Sequence, residues 1–402
     1  MLILQEFKLD ITHKLILLLV IPCYIIFFIG KEPLMQGLAF SCYPIALAVV
    51  AIHYRSFKLP RNFILFWIFF LLAWCIPSII NFSSGRLESE LVIMEVLFAN
   101  VIFLSSILFA IIIWLIQGKD NSFIKLLNVL FIYLLPIVFL IILKTIYLKF
   151  LNDQERPSPF GIHPVVASEI LFVSMIGLMS FKNKYFKLVL SAPLFLGLIL
   201  LSSRGYMIPS FFIFFICFCL PIYKTYTTKQ KIILFFVGTL VLFFCAEYIY
   251  SDLLRLDSKN AGFGSGFSGR EYVWMYALQS ISSHPWLGVG YWVNPFGYSV
   301  PVDFISNTLS INDPSVRIHN AFIRIAAENG LILACFSYFT ICLSIVKAIQ
   351  KKLYFELTIV LAMIFALFFS TRHLTNNLMN LIFYTSMLSI YLEKNFIESL
   401  KK

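Results

Sequence analysis

Three short runs collect the groups in this chain that can do chemistry. They are Gly269-Arg270-Glu271-Tyr272-Val273-Trp274, His284-Pro285-Trp286-Leu287-Gly288-Val289-Gly290 and Arg317-Ile318-His319-Asn320. All three lie in one polar stretch, about 251–321, of a chain that is otherwise strongly apolar. A guanidinium is planar and grips phosphate at two points. An imidazole titrates near neutrality and is the usual group for taking a proton from a hydroxyl. Together they suit chemistry on an anionic, lipid-linked substrate at a membrane surface.

Each candidate has a plainer reading beside the functional one. Arg204, in Leu201-Ser202-Ser203-Arg204-Gly205, falls between two apolar runs with almost no loop. An Arg at the bilayer centre costs roughly 3 kcal/mol, less near the edge. Such a residue marks a binding site, or it is an interfacial Arg snorkelling from a tight turn. Arg270 opens a predicted helix, where free amides and the dipole already favour anions; alternatively it pairs with Glu271 or another loop carboxylate. His319 is a general base, or an interfacial histidine bonded to backbone. Arg317, Arg324 and Asn320 surround it in sequence and complete the candidate substrate-binding set. Asn320 also reads as a helix cap, and Arg324 stands four residues before Glu328, the spacing of a structural ion pair. His284 reads as structural, in a turn before Pro285 where Gly288 and Gly290 point to unusual backbone angles. His163 and Glu169 open a further apolar run and carry a weaker signal.

The elements that must hold these groups are membrane helices. The chain has 402 residues, 60% hydrophobic and only 13% charged, against about 25% charged in soluble domains. A span needs ~20 apolar residues. Twelve candidates follow: about 13–30, 34–53, 62–81, 91–117, 123–148, 163–181, 186–203, 205–223, 231–250, 331–348, 353–370 and 376–392. The first lacks a small-residue cleavage site and reads as a retained helix. The expected fold is all-α: nine spans in 1–250, a long external loop over 251–321 containing short helices, and three spans in 322–402.

Threading the spans from a cytoplasmic N-terminus places 19 of the 31 Lys and Arg residues inside and 12 outside, as the positive-inside rule requires. Both termini are then cytoplasmic and the 251–321 loop external. Among the inside cations only Arg55 and Arg61 are arginines; outside, eight of twelve are: Arg86, Arg156, Arg204, Arg255, Arg270, Arg317, Arg324 and Arg372. Topology accepts either cation, whereas a bidentate phosphate grip needs arginine. The net charge of +11 is therefore assigned to topology and phosphate, not to nucleic acid.

Within the loop, Ser268-Gly269-Arg270-Glu271 has capping-box spacing. Val273, Ala277 and Ile281, with Trp274 and Leu278, form a stripe at helical period that Pro285 ends. A second helix starts at Asn320 and ends at Gly330. A Gly-x-Gly-x-x-Gly pattern at 264–269 follows no strand and is discarded. Walker A, His-Glu-x-x-His and Asp-x-Asp motifs are absent from the sequence, as is any Cys-x-x-Cys or Cys/His metal spacing.

In these residues the chain resembles the O-antigen ligase and O-antigen polymerase superfamily of bacterial envelope glycosyltransferases. The matching pieces are Ser-Ser-Arg-Gly at 202–205, Gly-Arg-Glu-x-x-Trp at 269–274, His-Pro-Trp-Leu-Gly-Val-Gly at 284–290, His-Asn at 319–320 and Glu-Asn-Gly at 328–330. The resemblance implies a bacterial inner-membrane enzyme with a periplasmic site, no metal or other cofactor, and a glycan on undecaprenyl diphosphate as donor. By matching position it implies that Arg204 and Arg270 bind the diphosphate and that His319 acts at the acceptor hydroxyl. The acceptor is lipid A-core for a ligase, or a second lipid-linked glycan for a polymerase; the ligase is the first expectation. A lipid-linked oligosaccharide flippase is the rival from another class, though no half-repeat of the transporter kind is present.

Overall fold

A computed structural model describes residues 122–152, 154, 157–161, 164–201, 204–219, 270–289 and 320–369, with five further helical positions at 382, 383, 386, 387 and 390. The expected spans at 13–30, 34–53, 62–81, 91–117 and 231–250 lie outside these residues, and that at 376–392 is described only at those five positions. Among the described residues every regular element is helical. They fall in two compact units, one holding residues 124–219 and the other 272–390.

In the first unit, α1 (Ser122–Phe150) is long and apolar enough to cross a membrane. It buries Leu127, Leu130, Phe131 and Leu134 and leaves Phe139, Leu143 and Phe150 exposed. A run of exposed large apolar side chains fits a lipid-facing surface. Next, α2 (Pro164–Met179) has no polar face to show to water. Fourteen of its sixteen residues are buried, so it forms the centre of the unit. Its hydroxyls are satisfied within the helix: Ser168 Oγ donates to Pro164 O at 2.8 Å and Ser174 Oγ to Ile170 O at 2.8 Å.

A short turn leads to α3 (Lys184–Leu200). Asn183 caps it, its Oδ1 accepting from Tyr185 N at 2.9 Å and Phe186 N at 3.1 Å, which satisfies two of the four free amides of a helix start. The chain reverses again into α4 (Arg204–Phe214), which continues as one π-helical turn over Phe215–Cys219. Side chains that meet across each reversal mark the hairpins. Leu171 of α2 lies against Gly197 of α3, and Phe195 of α3 stacks edge-on against Phe211 and Phe214 of α4, ring centres 6.3 and 5.4 Å apart. Consequently α2 and α4 run in the same direction, and their Phe172 and Tyr206 rings meet at 5.7 Å.

The second unit contains the remainder of α5 (Arg270–Ser283), then α6 (Ala321–Gln350) and α7 (Tyr354–Phe369). The expected apolar stripe of α5 is narrower than its sequence period. Ala277 is fully buried against Ala327 of α6, with Trp274, Ile281 and Ile323 around them, whereas Leu278 is exposed. Trp274 also meets Phe368 of α7, ring centres 5.7 Å apart.

The expected helix end at Gly330 is a break inside α6. Gly330 has φ 80 and ψ 168, a conformation that only glycine adopts without strain. The nine residues before it are mostly buried; the twenty after it expose Ile332, Phe339, Val346 and Ile349. That second part rises about 30 Å, the thickness of a bilayer's hydrocarbon core. In an unbroken helix Leu331 N would donate to Ala327 O. Here Leu331 N donates to Pro285 O at 2.7 Å, and Ala327 O accepts from Val289 N at 3.0 Å. The loop 284–289 is spliced into the gap and takes up both freed backbone groups.

Such close backbone contact leaves no room for side chains. A Cβ on Gly330 would lie 2.0 Å from Trp286 O, and one on Gly288 (φ 66) would lie 2.5 Å from Glu328 O. Gly330→Ala is expected to add about 1–3 kcal/mol of backbone strain to this overlap. Its folded yield in detergent and its unfolding temperature should fall well below those of an exposed control such as Ile332→Ala; equal values would reject the splice.

Candidate functional site

Three of the sequence motifs meet at the spliced junction. The helix of Gly-Arg-Glu-x-x-Trp, the loop of His-Pro-Trp-Leu-Gly-Val and the half-helix ending in Glu-Asn-Gly pack together in the second unit. Arg270 is the first residue of α5. Asn320 is the N-cap of α6, as expected. It is buried, and its Oδ1 accepts from Phe322 N at 3.0 Å and Ile323 N at 3.2 Å. Tyr338, beyond the break, donates its hydroxyl to Phe322 O and ties the two parts of α6 together.

Arg324 is held by its own helix. Its Nε donates to Glu328 Oε1 at 2.6 Å, and the two side chains are only 1% and 2% exposed. The i,i+4 spacing thus forms a buried ion pair rather than a solvated surface one. Taking both charges from water is expensive, and the short charge-assisted bond offsets part of that cost. With its Nε engaged, the guanidinium is fixed in orientation.

Two further polar groups stand at the junction, Asn329 of Glu-Asn-Gly and His284, which the sequence marked as structural. Asn329 is 2% exposed, and among the described residues neither its amide nitrogen nor its amide oxygen has a hydrogen-bond partner. His284 has the same standing at Nδ1, although its backbone is engaged: His284 N donates to Ser280 O at 3.0 Å and its carbonyl accepts from Gly288 N at 3.1 Å. The turn expected at His284-Pro285 is therefore present, with Gly288 at the positive φ that its sequence context suggested. Gly290 lies outside the described residues.

In the first unit, Arg204 is the first residue of α4, as Arg270 is of α5. The sequence indicated a helix start at Arg270 but only a tight turn at Arg204. Glu169 is buried in α2, 1% exposed. His319, Arg317 and His163 lie outside the described residues, as does the rest of the expected external loop.

The ion pair generates a test of what Arg324 does. Glu328→Gln should destabilise the protein by about 3–5 kcal/mol, because it strands a buried cation. Replacing both residues together by Met should recover most of that loss. Thermal unfolding in detergent measures both; a double variant no more stable than Glu328→Gln would show that Arg324 has other obligatory partners.

Among known proteins, residues 188–338 match the family model described as O-Antigen ligase. The matched region starts in α3, ends in α6 and contains Arg204, Arg270, Arg317, His319, Asn320 and Arg324. No curated protein matches the chain. Members of this family are membrane proteins of glycosyltransferase type, which agrees with two helices among the described residues, α1 and α6, that are long and apolar enough to span a bilayer. Residues 188–338 thus carry an O-antigen ligase domain, which supports a place in the O-antigen ligase superfamily.

Proposed function

We propose that the protein is a multi-pass glycosyltransferase of the bacterial inner membrane that moves a glycan from undecaprenyl diphosphate to an acceptor hydroxyl. The topology in this reading is the twelve-span one, with cytoplasmic termini and the 251–321 loop in the periplasm. The observation that carries the reading is the shared placement of Arg204 and Arg270. Each is the first residue of a helix, where backbone N–H groups are unpaired and the dipole is positive. A helix start is a ready anion site, and an arginine on it supports a diphosphate rather than a neutral ligand.

The reaction follows from that assignment. The acceptor oxygen attacks the anomeric carbon of the first sugar, and the bond from that carbon to the phosphate oxygen breaks. The electron pair leaves with the polyprenyl diphosphate, and the hydroxyl proton passes to His319. Diphosphate is already a good leaving group, so the protein's work is to neutralise growing charge and place the nucleophile. One Arg–phosphate contact at ~4 Å is worth up to about 4 kcal/mol at an effective dielectric of 20, before desolvation. A general base contributes roughly 10²–10⁴-fold. Arg317, Arg324 and Asn320 serve the same substrate in this reading, Arg324 with its orientation fixed by Glu328. The chemistry requires no nucleotide, metal or other cofactor.

Lipid A-core is the proposed acceptor, which makes the enzyme a ligase. A polymerase would use the same donor groups and pass the growing chain to a second lipid-linked glycan. A flippase would use the anion sites without forming a bond.

Purified donor and acceptor in proteoliposomes should yield new glycosidic product; transport without product would overturn the enzyme reading. Arg204→Lys should stay impaired by about tenfold or more, because lysine keeps the charge and loses the fork. Wild-type rates in that variant would remove Arg204 from the diphosphate site.

Deletion of the gene gives a second readout, the chain-length profile of surface polysaccharide. Long chains retained on the lipid carrier, and not rescued by His319→Ala, are the expected outcome for a ligase. Single-repeat capping would instead identify a polymerase.

A further inference from the structure

We infer that Glu169 is a positioning residue, the counter-charge that orients Arg204; this rests on the reading of Arg204 as a diphosphate contact. Glu169 sits in α2, the helix at the centre of the first unit, and is 1% exposed. An ionisable group buried in an apolar membrane bundle is costly and is retained when it serves a charge of opposite sign.

The helix registers say where that charge is. Phe172 of α2 faces Tyr206 of α4, ring centres 5.7 Å apart, and the two helices run in the same direction. Three residues before Phe172 is Glu169, and three before Tyr206 is position 203, so Glu169 is level with the start of α4. The α2–α3 hairpin gives the same level independently. Leu171 meets Gly197 across it, which sets Glu169 beside position 199, two residues short of the Leu201 turn. Glu169 therefore stands at the height of the reversal that delivers Arg204 as the first residue of α4.

Among the described residues, no other cation on α1 or α3 stands level with Glu169. Lys182, Lys184 and Lys187 belong to the opposite reversal, at the far end of α2. On α1, which passes α2 where Phe131 meets Gly177, the position level with Glu169 is Phe139, whose side chain is exposed. Lys144, more than a turn further along α1, has its Nζ over the Tyr147 ring at 4.6 Å. A guanidinium on a helix start suffers from conformational freedom; a fixed carboxylate at its level removes it, as ordering of a binding group should.

The test is a double-mutant cycle on the full-length protein in detergent, with Glu169→Gln, Arg204→Gln and the double variant, plus Glu169→Asp. Each single change is expected to lower the unfolding temperature, and the double to lower it no further than the worse single. Kinetics with a glycan on a short polyprenyl diphosphate should show kcat/KM for the donor reduced about ten- to a hundredfold by Glu169→Gln, the worth of one charged hydrogen bond. Glu169→Asp should recover part of it, and the acceptor KM should not move. Additive losses of stability, or a Glu169→Gln variant with wild-type donor kinetics, would overturn the pairing. Should the wild-type protein transfer no glycan, the function proposed above fails, and the stability cycle still decides whether residues 169 and 204 are coupled.

Discussion

A backbone amide or carbonyl freed beside lipid has no water to turn to, and this governs the second unit of the protein. Breaking α6 at Gly330 releases the Leu331 N–H and the Ala327 carbonyl. The loop after α5 takes both, through Pro285 O and Val289 N. The remainder of the unit follows from that exchange. The loop can come this close only because residues 288 and 330 are glycines, and α5 is thereby drawn against the half-helix 321–329 through Ala277 and Ala327. A buried polar half-helix and a lipid-facing span are thus made from one continuous stretch of chain.

The half-helix matters because of what it carries. Asn320, Arg324, Glu328 and Asn329 are all buried on it, a density of polar groups that a lipid-facing helix would not tolerate. Asn320 is engaged as a cap, and Arg324 Nε bonds Glu328 Oε1. Asn329 finds no hydrogen-bond partner among the described residues. The junction is therefore both a structural lock and a polar interior at the edge of a membrane span. The first unit solves the same problem differently. There, α2 is buried almost completely, and its serines return their hydroxyls to the helix's own carbonyls.

The proposed transfer from a lipid diphosphate needs positive charge held still beside a lipid phase. Helix starts provide it from backbone alone, and the chain puts an arginine on two of them, Arg204 and Arg270. Carboxylates can fix such cations: Glu328 bonds Arg324, and Glu169 is proposed to do the same for Arg204.

Much of this could be read from residue order. Apolar run lengths predicted spans at 123–148, 163–181, 186–203 and 353–370, and the structure has helices over Ser122–Phe150, Pro164–Met179, Lys184–Leu200 and Tyr354–Phe369, because each helix obeys its local composition. The cap at Asn320, the positive φ at Gly288, the break at Gly330 and the Arg324–Glu328 pair were legible too, since each depends on residues within a turn or two. What could not be read was long-range. That Leu278 turns outward while Ala277 is buried depends on what packs on α5. Period alone gives a stripe but not its width. The exchange of hydrogen bonds between residues 285–289 and 327–331, and the level of Glu169 with the start of α4, join positions some 35 to 45 apart in the chain. Local rules carry no information about such partners; they are set when helices of fixed length pack and every buried backbone group must find a mate.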